Sequence, residues 1–524
     1  MKKVVVVMTF WLCSCVSNVQ KSNEGIVNSL LLESKINSAQ VINTLYHFPK
    51  GADLHNHASG AEYIEHALIF SMENGYNYNI DRKAIFNPKN HSEIPVNEVD
   101  QNKCSYAYEG IRCAISVSEL INRKNELNLY LNLVSNRGVG HTQDLPIDHF
   151  FNVFDYIKVP NRGVEYISNI IYRNYDQNIR YLELMTAVVD SNITEKVYSL
   201  LPRENFNAEN YEQSYSYISG YLDSEEFKIL INRAMDEQEN RLNRLLLSKY
   251  DISISGDYPD VIVKYIPQLY RIQDPYYTFL DSAINMKASM VDKRIVATNM
   301  VHRESAITSQ LYFDKQMEIL DFFWRKYEHP NIALHAGELT LQESPVEPMR
   351  SRISQSIYTG KASRIGHGVS IGWERDMDNL LKYMRTHGIA VEICLSSNES
   401  VLGVDTKDHP LSLYLNANVP ITLATDDEGV FRSNLTMEYV KAVQEHGLTY
   451  YQIKEISKNG LEYSFLTGES IYEKGGEIKR KYQPYKSGDL PSRYELGEKA
   501  YLQIRHERDL AQFEESVMIS VKSR

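Results

Sequence analysis

Short apolar runs recur along this chain, and several end at once in polar or ionisable residues: GADLHNH, IRYLELMT, VIVKYIPQLYR, RIVATNMVHRE, NIALHAGE, SRIGHG, IAVEICLSSN and VPITLATDD. Stretches between them, such as EEFKILINRAMDEQENRLNRLLLSKY and SQLYFDKQMEILDFFWRKY, repeat apolar residues at helical spacing. Strands alternating with helices imply parallel pairing, and eight such units can close into a (β/α)8 TIM barrel. The competing plan is an open doubly wound sheet, which would concentrate reactive groups at one switch point. Here ionisable residues end run after run from His55 to Asp427, as they do where all βα loops open onto one face of a barrel. An α/β barrel is therefore the expected fold.

The same pattern sets the organisation. An N-terminal helical lead is expected over 15–47, the barrel over 48–440, and C-terminal helices and a tail over 441–524, with a polar connection at Glu469–Ser487 before a closing helix at Pro491–Ser520. Helical insertions fall near 73–124 and 191–257. The first, rich in Asn, Tyr and charge, is a candidate lid, because long βα insertions shape or cover the active face.

Composition narrows the class without choosing a function. With 43% hydrophobic and 24% charged residues, the chain reads as globular rather than disordered or fibrous. The formal charge of -12 is dispersed and no basic stripe follows a phosphate backbone, so nucleic acid is not an expected partner. Residues 1–14 read as a signal peptide: Lys2 and Lys3 precede a short apolar run, Val4 to Leu12, far shorter than the roughly 20 residues a spanning helix needs. Leu12-Cys13-Ser14-Cys15 resembles the lipobox of bacterial lipoproteins, with Cys15 as the lipid acceptor. An ordinary cleaved secretory peptide is the alternative. The chain is thus expected to be exported, with membrane contact only through an N-terminal lipid anchor in the bacterial envelope. Cys104 and Cys113 can close a small disulfide loop, while Cys394, within AVEIC, reads as a small buried hydrophobe.

Candidate chemistry begins with Asp53 to His57. Side chains alternate along a strand, so His55 and His57 project to one face. HAGE adds His335 and Glu338, RIGHG adds His367, and TDD adds Asp426 and Asp427. Singly, each has a plain explanation: a strand-end histidine is often a hydrogen-bonded structural residue, and Asp-Asp is often a turn or a cap. Together, three neutral imidazoles and a carboxylate suit zinc or a similar first-row ion, whose field lowers the pKa of a bound water from 15.7 toward about 7. Attack by that hydroxide needs an acid, and Glu338 suits the role if burial raises its pKa. His367 and Asp426 are placed to orient the water and shuttle its proton, leaving Asp427 for substrate recognition provided the strand has already ended there.

In order, PKGADLHNH, HAGE, RIGHG, EICLSSN, His409-Pro410 and TDD resemble the adenosine deaminase family of metal-dependent aminohydrolases. The opening FPKGADLHNH and the insertion-rich, exported build are most similar to its extracellular growth-factor branch. The resemblance spans Phe48 to Tyr439. It implies one Zn2+ held by His55, His57, His335 and Asp426, with metal-bound hydroxide attacking C6 of adenosine or 2'-deoxyadenosine, a small purine nucleoside. Glu338 would protonate N1, His367 would position the nucleophile and Asp427 would bond near N7, giving inosine and ammonia.

Three positions depart from the family pattern. Ala58-Ser59-Gly60 stands where an acidic residue often meets the ribose 5′-hydroxyl, His302 where a glycine commonly approaches the purine, and Glu428 where proline often follows the two aspartates. They leave open deamination of adenine, a modified purine nucleoside or another aminated heterocycle. A binding or signalling protein on a catalytically retired scaffold would have lost a ligand or the acid, and the sequence retains both.

Overall fold

A computed structural model describes residues 22–33, 37–96, 103–138, 145–160 and 162–523. The signal segment 1–14 and Cys15 lie outside the described residues. Eight parallel strands form the centre: β1 (Gly51–His57), β2 (Ile179–Met185), β3 (Ile262–Ile266), β4 (Thr298–Val301), β5 (Ile332–Ala336), β6 (Arg364–His367), β7 (Ala390–Ile393) and β8 (Ile421–Leu423). Each coincides with one of the apolar runs. Nearly every residue in them is buried, as expected of parallel strands covered on both faces, which therefore read as near-continuous apolar runs.

Neighbouring strands pair in chain order, β1 with β2 with β3 and β4 through β8. Two single bridges close the circle. Tyr265 pairs with Ile295 beside β4, and Asn56 pairs with Asp426 beyond the end of β8. At the second seam Asp426 N–H donates to His55 O at 2.8 Å and His57 N–H to Asp426 O at 3.0 Å. The chain is a closed (β/α)8 barrel. The third run is interrupted by Pro267, which has no N–H for a ladder, and resumes as Gln268–Tyr270 paired with β4.

Helices Glu165–Asp176, Glu225–Tyr250, Pro275–Val291 and Ile307–Lys326 place apolar faces in the main core. Residues 191–257 form the helices Ser191–Leu200, Tyr211–Leu222 and Glu225–Tyr250. The segment near 73–124 departs from the helical expectation. It carries a five-stranded antiparallel sheet, in the order 84–86, 77–79, 111–116, 106–108, 93–94, clipped by a Cys104–Cys113 disulfide. Its YAY and IRCAIS stretches combine aromatic and β-branched residues, which suit a pleated surface. Helices Asn23–Glu33 and Ser38–Tyr46 form the N-terminal lead, and Glu498–Lys522 the closing helix. Tyr501 and Leu502 of that helix cluster with Ala52, Tyr181 and Ile262 at the starts of the first three strands, leaving the opposite end for chemistry.

Candidate metal centre

At the C-terminal ends of the strands, ligand atoms of His55, His57, His335 and Asp426 all lie within 4.8 Å of one another, and all four residues are buried. His335 Nε2 is 3.1 Å from both His55 Nε2 and His57 Nε2. Asp426 Oδ1 is 3.5 Å from His55 Nε2 and 3.3 Å from His57 Nε2. His55 Nδ1–H donates to Glu392 Oε2 at 2.6 Å and His335 Nδ1–H to Asn299 Oδ1 at 2.9 Å. The two rings therefore turn their Nε2 atoms toward each other and toward Asp426, where a single shared cation satisfies both. His57 Nδ1 is 2.8 Å from the Gln268 side-chain amide, which can offer its oxygen to the ring if turned end for end. These partners on the far ring nitrogens fix tautomer and orientation, as at metal-bound histidines generally.

Backbone conformation matters as much as the side chains. Asp426, His367 and His302 sit at φ 60, 66 and 85°, left-handed values that cost energy outside glycine and cluster at functional sites. The regular strand ends at Leu423, so Asp426 and Asp427 leave strand alternation and both reach one cavity. Gly366 makes room for the first ligand, since a Cβ there would stand 2.7 Å from His55 Cε1.

Protonation divides along the same lines. Burial opposes a charge on His55, but Asp426 and Glu392 raise it to about 10; burial lowers His57 to about 4 and His335 well below the usual range. Burial also works against the Asp426 anion, yet the His55 hydrogen bond and neighbouring imidazoles keep it low. Glu338, 13% exposed, is pushed up by burial and by the Asp426 and Glu304 carboxylates. Asp427 is raised well by burial and by Asp426. Burial and carboxylate neighbours thus shift Glu338 and Asp427 toward holding a proton, and the surrounding imidazoles shift Asp426 toward giving one up.

Glu338, Asp426, Asp427, His57 and His335 line a cavity of about 360 Å³ together with Ser59, Gln268, Tyr270, Val301 and His302. His367 stands just behind this lining, its Nε2 3.8 Å from Glu338 Oε1 and 4.0 Å from Asp426 Oδ2. Among the described residues, none of the 73–124 segment lines this cavity, so the roof lies elsewhere. It is the helix Pro146–Tyr156, which contributes Phe150, Phe151, Phe154 and Asp155, with Lys158 just beyond. Phe151 stacks on His302 with centroids 5.0 Å apart and planes at 19°, and Arg303 joins Asp148 of the roof to Glu343.

Several supporting residues were missed by sequence reasoning. Glu392 on β7 accepts from both His55 and Arg364, and Arg364 also reaches Glu183. Glu304 accepts from the backbone N–H groups of Gly337 and Glu338, holding the loop that carries Glu338. Asn398 bridges His367 and His409. A lone carboxylate inside the apolar run AVEI was the available signal for Glu392. Cys394 is buried and free.

The adenosine deaminase family model matches residues 157–473. The chain belongs to the adenosine deaminase family. It is 36% identical over 137 residues to an adenosine deaminase of Shewanella denitrificans, an alignment covering 26% of this chain and 38% of that protein. With an adenosine deaminase of Clostridium kluyveri it shares 30% identity over 190 residues, 36% of this chain and 49% of the other. An aminodeoxyfutalosine deaminase of Streptomyces coelicolor is 33% identical over 133 residues, 25% of this chain and 32% of that one. The matched region thus spans half or less of these relatives. Among solved structures, an adenine deaminase from Arthrobacter aurescens superposes with a TM-score of 0.47 at 14% identity, covering 80% of this chain and 94% of that one.

Proposed function

We propose that this member of the family is a zinc-dependent aminohydrolase that converts adenosine or 2'-deoxyadenosine, with water, to inosine or its deoxy counterpart and ammonia. The observation that carries the reading is the convergence of three imidazole nitrogens and one carboxylate beside the buried acids Glu338 and Asp427. Four of the six separations among these donor atoms are 3.1 to 3.5 Å, short enough for all four to reach one ion at bonds of about 2.0–2.2 Å. His55, His57, His335 and Asp426 would hold the ion, which supplies the positive field that makes water acidic enough to attack at neutral pH.

The remaining work falls to the chain itself. Glu338 delivers its proton to the ring nitrogen where negative charge develops as C6 is attacked. Asp427, also protonated, donates to a second ring nitrogen. His367 holds the attacking oxygen, and the Asp426 carboxylate, 4.0 Å from His367 Nε2, takes its proton. Phe151, Phe154, Tyr270 and His302 enclose a planar heterocycle and exclude water.

Two observations favour a second reading, deamination of another aminated purine. Ser59 cannot reach as far as an acidic side chain toward a ribose hydroxyl, and the His302 ring occupies space that a glycine would leave open. The decisive experiment measures metal content and ammonia release together, across adenosine, 2'-deoxyadenosine, adenine and an N6-substituted adenosine. Turnover of adenosine supports the first reading, turnover of another purine alone the second, and inertness of fully metallated protein toward all four defeats both.

We also propose export and lipid anchoring at Cys15. Support comes from the Lys2-Lys3 start, the apolar run before Leu12-Cys13-Ser14-Cys15, and the Cys104–Cys113 disulfide, a bond that persists in oxidising compartments. Radiolabelled palmitate incorporated by wild type and not by Cys15→Ser tests it.

A further inference from the structure

A hydrogen-bond chain behind the site starts from a donor whose direction is fixed. The backbone N–H of Leu411 donates to His409 Nδ1 at 3.1 Å. A neutral imidazole carries one proton, and burial lowers His409 to about 3, so its proton sits on Nε2. His409 Nε2 lies 3.1 Å from Asn398 Oδ1 and donates to it. That bond orients the amide, whose Nδ2–H then points at His367 Nδ1, 3.0 Å away. His367 Nδ1 is thereby an acceptor, and the ring proton is left on Nε2, a buried atom without a hydrogen-bond partner among the described residues that faces Glu338 and Asp426.

We infer that His409 and Asn398 are positioning residues that lock His367 in its Nε2–H tautomer, making it a hydrogen-bond donor to the site and excluding it as the base that deprotonates the nucleophile. No bond is formed or broken in the relay. It acts by choosing which nitrogen bears the proton, a choice that costs a triad histidine about 10⁴ in kcat when it is wrong. The relay carries the tautomer assignment by itself; what His367 then faces rests on the proposed deaminase reading.

Three substitutions separate this role from simple packing. Asn398→Asp puts a carboxylate oxygen where the amide N–H stood, so His367 donates from Nδ1, and in the neutral ring Nε2 becomes the acceptor. His409→Glu removes the donor to Asn398 Oδ1, inviting the amide to turn its N–H outward and its oxygen toward His367, with the same result one residue further away. His409→Gln keeps an N–H at the Nε2 position and should preserve the relay. The primary readout is the ¹⁵N chemical shifts of histidine-labelled, metal-loaded protein, with His367 assigned by the signals lost in His367→Gln. Expected are a protonated Nε2 in wild type and His409→Gln, and a protonated Nδ1 in Asn398→Asp and His409→Glu. The two reversed variants should lose about 10²-fold or more in kcat with metal content retained and KM little changed. A wild-type His367 protonated on Nδ1 overturns the inference, as does an unchanged tautomer in folded His409→Glu. The wild-type measurement decides even if a variant fails to fold. Should wild type release no ammonia from any purine, the deaminase reading falls while the shifts still report the relay.

Discussion

Gly60 and Asp427 are built around each other: a Cβ at Gly60 would stand 1.8 Å from Asp427 Oδ1. That oxygen is buried and has no hydrogen-bond partner among the described residues, so the Gly60 backbone it packs against sets its position. Gly60→Ala must push Asp427 aside while leaving the four ligand atoms in place. The expected outcome is a loss of about 10²–10³ in kcat/KM, the range for removing one positioned polar contact, with unchanged metal content by elemental analysis.

Glu338 separates acid chemistry from metal binding. Glu338→Gln should retain metal and fold and lose about 10²–10⁴ in kcat, whereas His335→Ala should lose the metal as well. Exhaustive chelation of wild type should abolish turnover, and restoration by added zinc is the companion measurement. Full activity after chelation would remove the metal from the account.

His302 tests what the cavity accepts. The residue adopts φ 85°, which glycine adopts without penalty, and its ring packs against Phe151 of the roof. His302→Gly should raise kcat/KM for adenosine relative to adenine by about tenfold to a hundredfold, the usual range for steric discrimination in a pocket. A ratio that does not move would mean that the ring does not touch the substrate.

Arg364 is 1% exposed and bridges Glu183 and Glu392, both fully buried, with the Phe465 ring 3.8 Å from its guanidinium carbon. Arg364→Met would leave the two buried carboxylates without the cation they share, and breaking such a group costs about 3–5 kcal/mol. Denaturant unfolding should report that loss. Metal affinity should change too, because Glu392 orients His55.

Acid should destabilise the fold through His506. It is buried against Ser457, and burial lowers it to about 3, while the unfolded imidazole titrates near 6.5. Below about pH 6.5 the unfolded chain binds a proton that the folded chain refuses, so stability falls as pH drops and continues to fall until about 3. At pH 5 the contribution of this one site amounts to about 2 kcal/mol. The pH 7 to pH 5 difference in denaturant stability should therefore shrink by that amount in His506→Gln.

The barrel was legible because its strands are short, apolar on both faces and end in ionisable groups, so that GADLHNH or NIALHAGE marks both a strand and its functional end. The convergence of His55, His57, His335, Glu338, His367, Asp426 and Asp427 was legible for the same reason. What supports them was not. Glu392 and Asn299 lie within strands and Arg364 begins one, so none stands at a C-terminal strand end, and only the pairing of β6 with β7 brings Arg364 to Glu392. The roof was illegible in another way. PIDHFFNVFDY reads as an amphipathic helix, but nothing local says that Phe151 will meet His302, which lies far along the chain. The sheet within 73–124 depends on pairing between strands as short as two or three residues, below what periodicity can detect.

The barrel seam at Asn56 and Asp426 joins the first strand of the barrel to the loop that follows its last. Two of the four donors emerge early in synthesis and the fourth only when that loop does. A growing polypeptide therefore cannot assemble the full donor set until the ring is nearly finished, and an ion captured there fastens its two ends together. Metal uptake then marks the completion of folding, and a nascent chain stalled before β8 has no complete site to load.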